Sequence, residues 1–221
     1  PAPIHRAAEV SKIAVGNLDD DLADLGSCDW IVEAVTERID IKNAVFEKIE
    51  AHRKPHTIVS SNTSGIPLAT MVAPRSEGFK KHFLITHFFN PPRYMKLLEL
   101  VTSPKTRKDI AKEVAAFCDV KLGKGVVVCH DTPGFIANRL GVFWMQAGVN
   151  AAIEQNVSIE IADAVMSKPV GIPKTGIFGL IDLVGVDLMP KLATSMLSTL
   201  PDNDEYRKIY KDFPFVHQMI A

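Results

Sequence analysis

Two ionisable side chains interrupt runs that are otherwise almost wholly apolar. His87 follows Phe83-Leu84-Ile85-Thr86, and Glu99 stands inside Leu97-Leu98-Glu99-Leu100-Val101. A carboxylate buried without a partner costs on the order of several kcal/mol, so Glu99 needs one. His87 lies twelve residues upstream. That span lets one strand end, turn through Asn90-Pro91-Pro92-Arg93 and return alongside itself. A carboxylate holding an imidazole makes a general base able to work near neutral pH. On spacing alone, a core histidine and a locally satisfied glutamate remain the plainer reading.

Such a pair needs a sheet to hold it. Trp30–Val35 is a continuous apolar run broken only by Glu33, which suits a buried parallel strand. Ile39–Ala51 repeats Ile41, Val45, Phe46 and Ile49 at helical spacing, with Lys42, Glu47, Lys48 and Glu50 expected outside. Thr57–Ser61 is the next strand, and this rhythm predicts an α/β unit. Asn62-Thr63-Ser64-Gly65 then turns at the carboxyl end of a strand, where ligands are met in open α/β sheets. Pro67 fits the first turn of a helix over Ile66–Val72, whose amides are expected to face the same crevice. Strands Phe83–Phe89 and Lys96–Val101 flank the Pro-rich loop. A helix over Lys105–Cys118 follows, with Ile110, Val114 and Phe117 on one stripe, and Gly125–Cys129 closes the sheet.

Upstream, a short strand is expected at Lys12–Val15 and a short helix through Leu22 and Leu25. Beyond His130 the pattern becomes helical. Asp131 or Thr132 is placed to cap a helix starting near Pro133, and Phe135–Gln155 reads as one long apolar helix. Further helices are expected at Ser158–Ser167 (Ser158 as cap, Ile161 and Val165 inward), Gly179–Val186 and Leu188–Leu200. The division is α/β over 1–129 and helical over 130–221.

Composition narrows the function. Hydrophobic residues make up 47% and charged residues 23%, with a net charge of −1, so bulk electrostatics argue against nucleic acid or an anionic membrane as partner. No apolar run approaches the ~18 residues of a membrane helix, and no signal peptide is visible. Cys28, Cys118 and Cys129 lack metal-type spacing and read as reduced thiols of a cytosolic or organellar protein. The chain opens Pro1-Ala2-Pro3 without an initiator Met, which predicts that the numbering begins inside a longer protein.

Five segments, in this order, resemble the L-3-hydroxyacyl-CoA dehydrogenase family. They are Val32-Glu33-Ala34-Val35 with Glu37 and Lys42; Ser61-Asn62-Thr63-Ser64; His87-Phe88-Phe89-Asn90-Pro91; Met95-Lys96-Leu97-Leu98-Glu99; and Asp131-Thr132-Pro133-Gly134-Phe135-Ile136-Ala137-Asn138-Arg139. The resemblance implies a partial Rossmann-like doubly wound sheet followed by an all-helical domain. It implies NAD as cofactor, an acyl-CoA substrate and a place in fatty-acid β-oxidation, in the bacterial cytoplasm or the mitochondrial matrix. His87 would take the proton of the 3-hydroxyl while hydride leaves C3; an imidazole, with an ordinary pKa of about 6.5, can accept and return a proton near pH 7. Glu99 would orient the ring. Ser64 and Asn138 would meet substrate oxygens, although a turn serine and a helix–helix amide contact are the bland alternatives. Ala34, Glu37, Lys42 and Asn90 would line the nicotinamide ribose, with a solvated surface ion pair as the alternative for Glu37 and Lys42.

The chain departs from the family pattern where the dinucleotide pyrophosphate is held. It contains no Gly-x-Gly-x-x-Gly turn; the glycines before residue 60, Gly16 and Gly26, are isolated. Little NAD binding is therefore expected of this polypeptide by itself, and the helical half is expected to be truncated. The resemblance also implies a homodimer through the helical domain and a larger multifunctional parent, fused to an enoyl-CoA hydratase module. The competing expectation is a non-catalytic relative that keeps the fold as a structural or CoA-binding module.

Overall fold

The computed structural model describes residues 6–171 and 174–220. The chain divides into two compact units, Pro1–Phe135 and Ile136–Ala221.

The first unit is built on a five-stranded sheet. Its strands β1 (Trp30–Glu33), β2 (Ile58–Ser61), β3 (Phe83–Phe88), β4 (Leu97–Val101) and β5 (Gly125–Cys129) lie side by side in chain order. β1, β2 and β3 are parallel, β4 runs antiparallel to β3, and β5 is parallel to β4. Helix α1 (Ile39–His52) joins β1 to β2, α2 (Leu68–Val72) and α3 (Glu77–Lys81) join β2 to β3, and α4 (Lys108–Leu122) joins β4 to β5.

Alternation along the strands sends side chains to two covered faces. On one, Ile31, Val59, Phe83, Ile85, Val101 and Cys129 pack with Phe46, Ile49, Leu68, Met71 and Phe79 of α1–α3. On the other, Leu84, Leu98 and Leu100 pack with Ile110, Val114 and Cys118 of α4. Each large apolar side chain so buried contributes about 1.5–3 kcal/mol. Covering both faces is why β3 and β4 read as nearly unbroken apolar runs.

Several expectations are corrected here. Lys12–Val15 forms no strand: Ala7–Lys12 is a 3-10 turn, and Val15 is 94% exposed, with no strand paired to it among the described residues. The segment through Leu22 and Leu25 is likewise a 3-10 turn, Leu22–Ser27. Lys42 is not outside but on the inward stripe of α1 with Phe46 and Ile49. On α4, Cys118 takes the buried place expected for Phe117, whose ring is half-exposed against Trp30 at 5.9 Å. Asp131 caps α2 rather than the long helix: its Oδ1 accepts from the Leu68 amide at 2.8 Å and its Oδ2 from that of Ala69 at 3.1 Å. These α2 amides are therefore spoken for by the chain itself. Helix α3, unread in the sequence, is capped by the Ser76 hydroxyl, which accepts from the Phe79 amide.

The second unit is helical, with α5 (Ala137–Glu154), α6 (Ile159–Val165), α7 (Phe178–Val184), α8 (Leu188–Thr199), α9 (Glu205–Ile209) and α10 (Pro214–Ile220). Val142, Met145, Met196, Leu200 and Tyr206 form its core. Ser158 caps α6 as expected, accepting from the Ile161 amide. Ile161 and Val165 are exposed instead of inward. The reason is Asp163, whose carboxylate accepts from the Phe178 and Gly179 amides at 2.7 and 2.9 Å and so turns α6 to bury Ala162. Among the described residues no helix is long and apolar enough to cross a membrane.

Candidate active site

The antiparallel register of β3 and β4 sets His87 directly opposite Glu99. The imidazole Nδ1 lies 2.7 Å from Glu99 Oε2, with side-chain exposures of 7% and 1%. A buried carboxylate is an acceptor, so the Nδ1–H is donated to it and the Nε2 lone pair faces away. Nε2 has no hydrogen-bond partner among the described residues. The ring is enclosed by Phe89, at 4.4 Å between centroids, and Phe135, at 5.7 Å. Phe135 reaches there because the turn after Thr132 carries Gly134 and Phe135 through positive φ, 70° and 46°. The left-handed conformation costs a side-chain-bearing residue about 1–2 kcal/mol. Burial of its ring, 3% exposed, offsets that cost. The long helix consequently starts at Ala137, not at Phe135.

Glu99 has a second neighbour. Cys129 enters the same face from β5, and burial, with the Glu99 carboxylate beside it, pushes the thiol up to about 11. A thiol held there is a hydrogen-bond donor and not a nucleophile.

A second polar cluster forms at the carboxyl ends of β1 and β2. Lys42 Nζ lies 2.9 Å from Glu33 Oε1, 3.1 Å from Glu33 Oε2, 3.3 Å from the Val35 carbonyl oxygen and 3.4 Å from Glu37 Oε2. Lys42 and Glu33 are fully buried, whereas the Glu37 side chain is 42% exposed. Glu33 also accepts from the Ser61 hydroxyl and the Val35 amide, which satisfies it. Partial burial works against the Glu37 charge. The Thr63 hydroxyl, the Lys42 ammonium and the amides of Gly65 and Ser64 outweigh it and hold the carboxyl below its ordinary range. Thus Glu37, Lys42 and Ser64 are brought into one hydrogen-bonded group, and the solvated ion pair is excluded for Lys42.

The remaining expected residues stand as follows. Ala34 is exposed just past β1, and Asn90 is exposed in the loop after β3, ahead of a cis peptide to Pro91. Asn138 is a half-buried residue in the first turn of α5, in the second unit. Asn62 joins the exits of β2 and β3, its side-chain oxygen accepting from the Phe88 amide at 2.9 Å.

Glu33 is a residue of this cluster that sequence reasoning did not single out. Its signal was present: a lone acid in an apolar strand, the same feature that singles out Glu99. Asn62 and Thr63 carried no comparable signal.

The donors and acceptors around Glu37 fit part of a dinucleotide. An anionic, solvent-facing carboxylate beside strand ends suits the paired hydroxyls of a ribose, and not a phosphate. The first amides of α2 offer no place for a phosphate, since Asp131 occupies them.

A doubly covered α/β sheet with a buried His–Glu pair near strand ends, followed in the chain by a separate helical unit, defines a two-part α/β-plus-helical architecture. Residues 4–132 match the family description "3-hydroxyacyl-CoA dehydrogenase, NAD binding domain", and residues 134–219 match "3-hydroxyacyl-CoA dehydrogenase, C-terminal domain". The chain belongs to the 3-hydroxyacyl-CoA dehydrogenase family. It is 41% identical over 220 residues, all but one of its length, to a Rickettsia felis protein named "Putative fatty acid oxidation complex trifunctional enzyme", of which it covers 31%. It is 40% identical over 220 residues to the "Probable 3-hydroxyacyl-CoA dehydrogenase" of Bacillus subtilis, of which it covers 28%. The crystal structure of (S)-3-hydroxybutyryl-CoA dehydrogenase PaaH1 from Ralstonia eutropha superposes with a TM-score of 0.78 at 28% identity, over 90% of this chain and 68% of that one. The chain thus spans about 30% of the length of these two relatives.

Proposed function

We propose that this chain supplies the general base and the nicotinamide-ribose side of an NAD-dependent enzyme that interconverts L-3-hydroxyacyl-CoA and 3-ketoacyl-CoA in fatty-acid β-oxidation. The observation that carries the reading is the buried contact of His87 Nδ1 with Glu99 Oε2 at 2.7 Å. Donation of Nδ1–H to the carboxylate leaves Nε2 to take the proton of the 3-hydroxyl. The imidazolium that forms keeps its contact with Glu99, whose negative charge stabilises it through a charge-assisted hydrogen bond. In the reverse direction the same Nε2–H returns the proton to the 3-keto oxygen. Phe89 and Phe135 exclude water from one side of the ring. Ser64 and Asn138 hydrogen-bond the substrate oxygens. Bound NAD supplies the hydride acceptor; Glu37, held in place by Lys42, binds its ribose, with Ala34 and Asn90 alongside.

The helical unit contributes the acyl-CoA contacts and a homodimer interface, and the chain works as part of a larger multifunctional protein. That last reading is supported by the small share of a trifunctional relative that the chain covers. The protein acts in the bacterial cytoplasm or the mitochondrial matrix.

Steady-state turnover of acetoacetyl-CoA with NADH by the full-length protein tests this. His87→Ala is expected to lower kcat by about 10²–10⁴-fold, the range of a general base. Glu99→Gln, which keeps the shape and removes the charge, is expected to lower it as well. Undiminished turnover in His87→Ala overturns the mechanism. No turnover in the unsubstituted protein would favour a non-catalytic, CoA-binding relative.

A further inference from the structure

The loop that carries Asn90 is fastened from below by a residue outside the sites described so far. Gly123 ends α4 in the left-handed conformation, with φ 65°; its own amide bonds the Asp119 carbonyl and that of Lys124 the Cys118 carbonyl, each at 3.0 Å. This C-cap geometry turns Lys124 back under the Pro-rich loop, and Gly125 then pairs with Lys96 through a 2.8 Å backbone bond. Lys124 is 6% exposed. Its ammonium donates to the Pro92 carbonyl and, at 2.8 Å, to that of Met95, and it sits 5.6 Å from the centre of the Phe88 ring. No ion pair to Lys124 exists among the described residues.

A buried ammonium whose hydrogen bonds, among the described residues, go to backbone carbonyls is an expensive staple. Packing alone would be met by a leucine or a methionine. The loop it grips is exposed from Asn90 to Lys96. Inside the loop, the Tyr94 and Met95 amides both bond the Pro91 carbonyl, at 3.0 and 3.1 Å. One residue before the loop, the Phe89 ring lies against His87.

We propose that Lys124 is a positioning residue: by pinning the Pro92 and Met95 carbonyls it holds Asn90 and Phe89 in place beside the His87 base. The functional half of this inference rests on the reading of His87 as base; the pinning itself does not. The ammonium acts on the loop, while the His87–Glu99 contact is held separately by the β3–β4 ladder.

The test uses Lys124→Met in the full-length protein, with two readouts. Amide hydrogen exchange is expected to speed up at Tyr94 and Met95 and to stay unchanged at Leu98 and Leu100 of β4. Steady-state kinetics are expected to show a raised KM for NADH and a kcat/KM lowered by about 10²-fold, the scale of a misplaced binding group, with an unchanged pH profile. Lys124→Arg, which keeps a cation, is expected to recover most of both effects. Should Lys124→Met fail to fold, Lys124→Gln keeps a neutral donor and reads the same quantities. Exchange that rises evenly across the sheet, or a KM that stays at the original value in a loosened loop, overturns the proposal. If the unsubstituted protein shows no turnover, the enzyme reading fails and the exchange result alone decides whether Lys124 pins the loop.

Discussion

Lys42 Nζ lies 2.9 Å from Glu33 Oε1, and neither side chain is more than 1% exposed. The pair links the first turn of α1 to the end of β1. Its ions have lost their water, and among the described residues each other, the Ser61 hydroxyl, the Val35 backbone and Glu37 replace it.

Removing one partner therefore strands the other. Lys42→Met is expected to destabilise the protein by about 3–5 kcal/mol, because Glu33 would remain buried as an uncompensated charge. The double variant Glu33→Gln/Lys42→Met is expected to recover a large part of that loss. Urea denaturation midpoints of the two variants check this. Equal losses in the single and double variants would mean that the pair is held by packing and not by charge.

The acid limb of the stability curve should carry the mark of Glu37. Its carboxyl is held below its ordinary range, so folding favours the charged form. Stability from this group is fully present above its ordinary value of 4.5 and is lost as pH falls through the lower folded value. The Thr63 hydroxyl is the leading contributor to the lowering, so Thr63→Val should move the carboxyl back upward. A carboxyl-resolved NMR titration of both proteins measures it, and an unmoved Glu37 resonance in Thr63→Val would contradict the assignment.

The thiols should differ in reactivity. With Cys129 pushed up to about 11, at pH 8 only about one molecule in a thousand carries its thiolate. Cys118 is raised as well, by burial, while Cys28 is only half-buried. A disulfide reagent such as DTNB should titrate one thiol of the native protein quickly, and Cys28→Ser should abolish that phase. A fast phase that survives the substitution would place the reactive thiol elsewhere.

Glu99 and Glu33 show how far reading the residues goes. The first was legible because its partner lies on the preceding strand of the chain. A single short loop separates them, so the lengths of the two apolar runs allowed the pairing, and the family motifs running through both strands favoured it. Glu33 sent the same signal, an acid in an apolar strand. Its partner lies across a strand-to-helix turn, on a helix that offers several adjacent stripes. Helical periodicity placed Ile41, Val45, Phe46 and Ile49 inward, with Lys42 outside. The structure buries Phe46 and Ile49 as expected, and Lys42 with them, while Ile41 and Val45 are only partly covered.

By itself, then, the sequence determined the alternation of strands and helices and, through its motifs, the family, which in turn singled out His87 with Glu99. Those properties follow from local periodicity and from short spans of chain, which leave few alternatives. The tertiary structure alone decided that Lys42 is buried against Glu33, that Asp131 caps α2 from 63 residues away, and that Lys124 reaches under the Pro-rich loop from 29 and 32 residues away. Each of these is a contact between distant segments. Its formation depends on which faces are left polar once the apolar ones have been buried, and that is known only when the whole unit has packed.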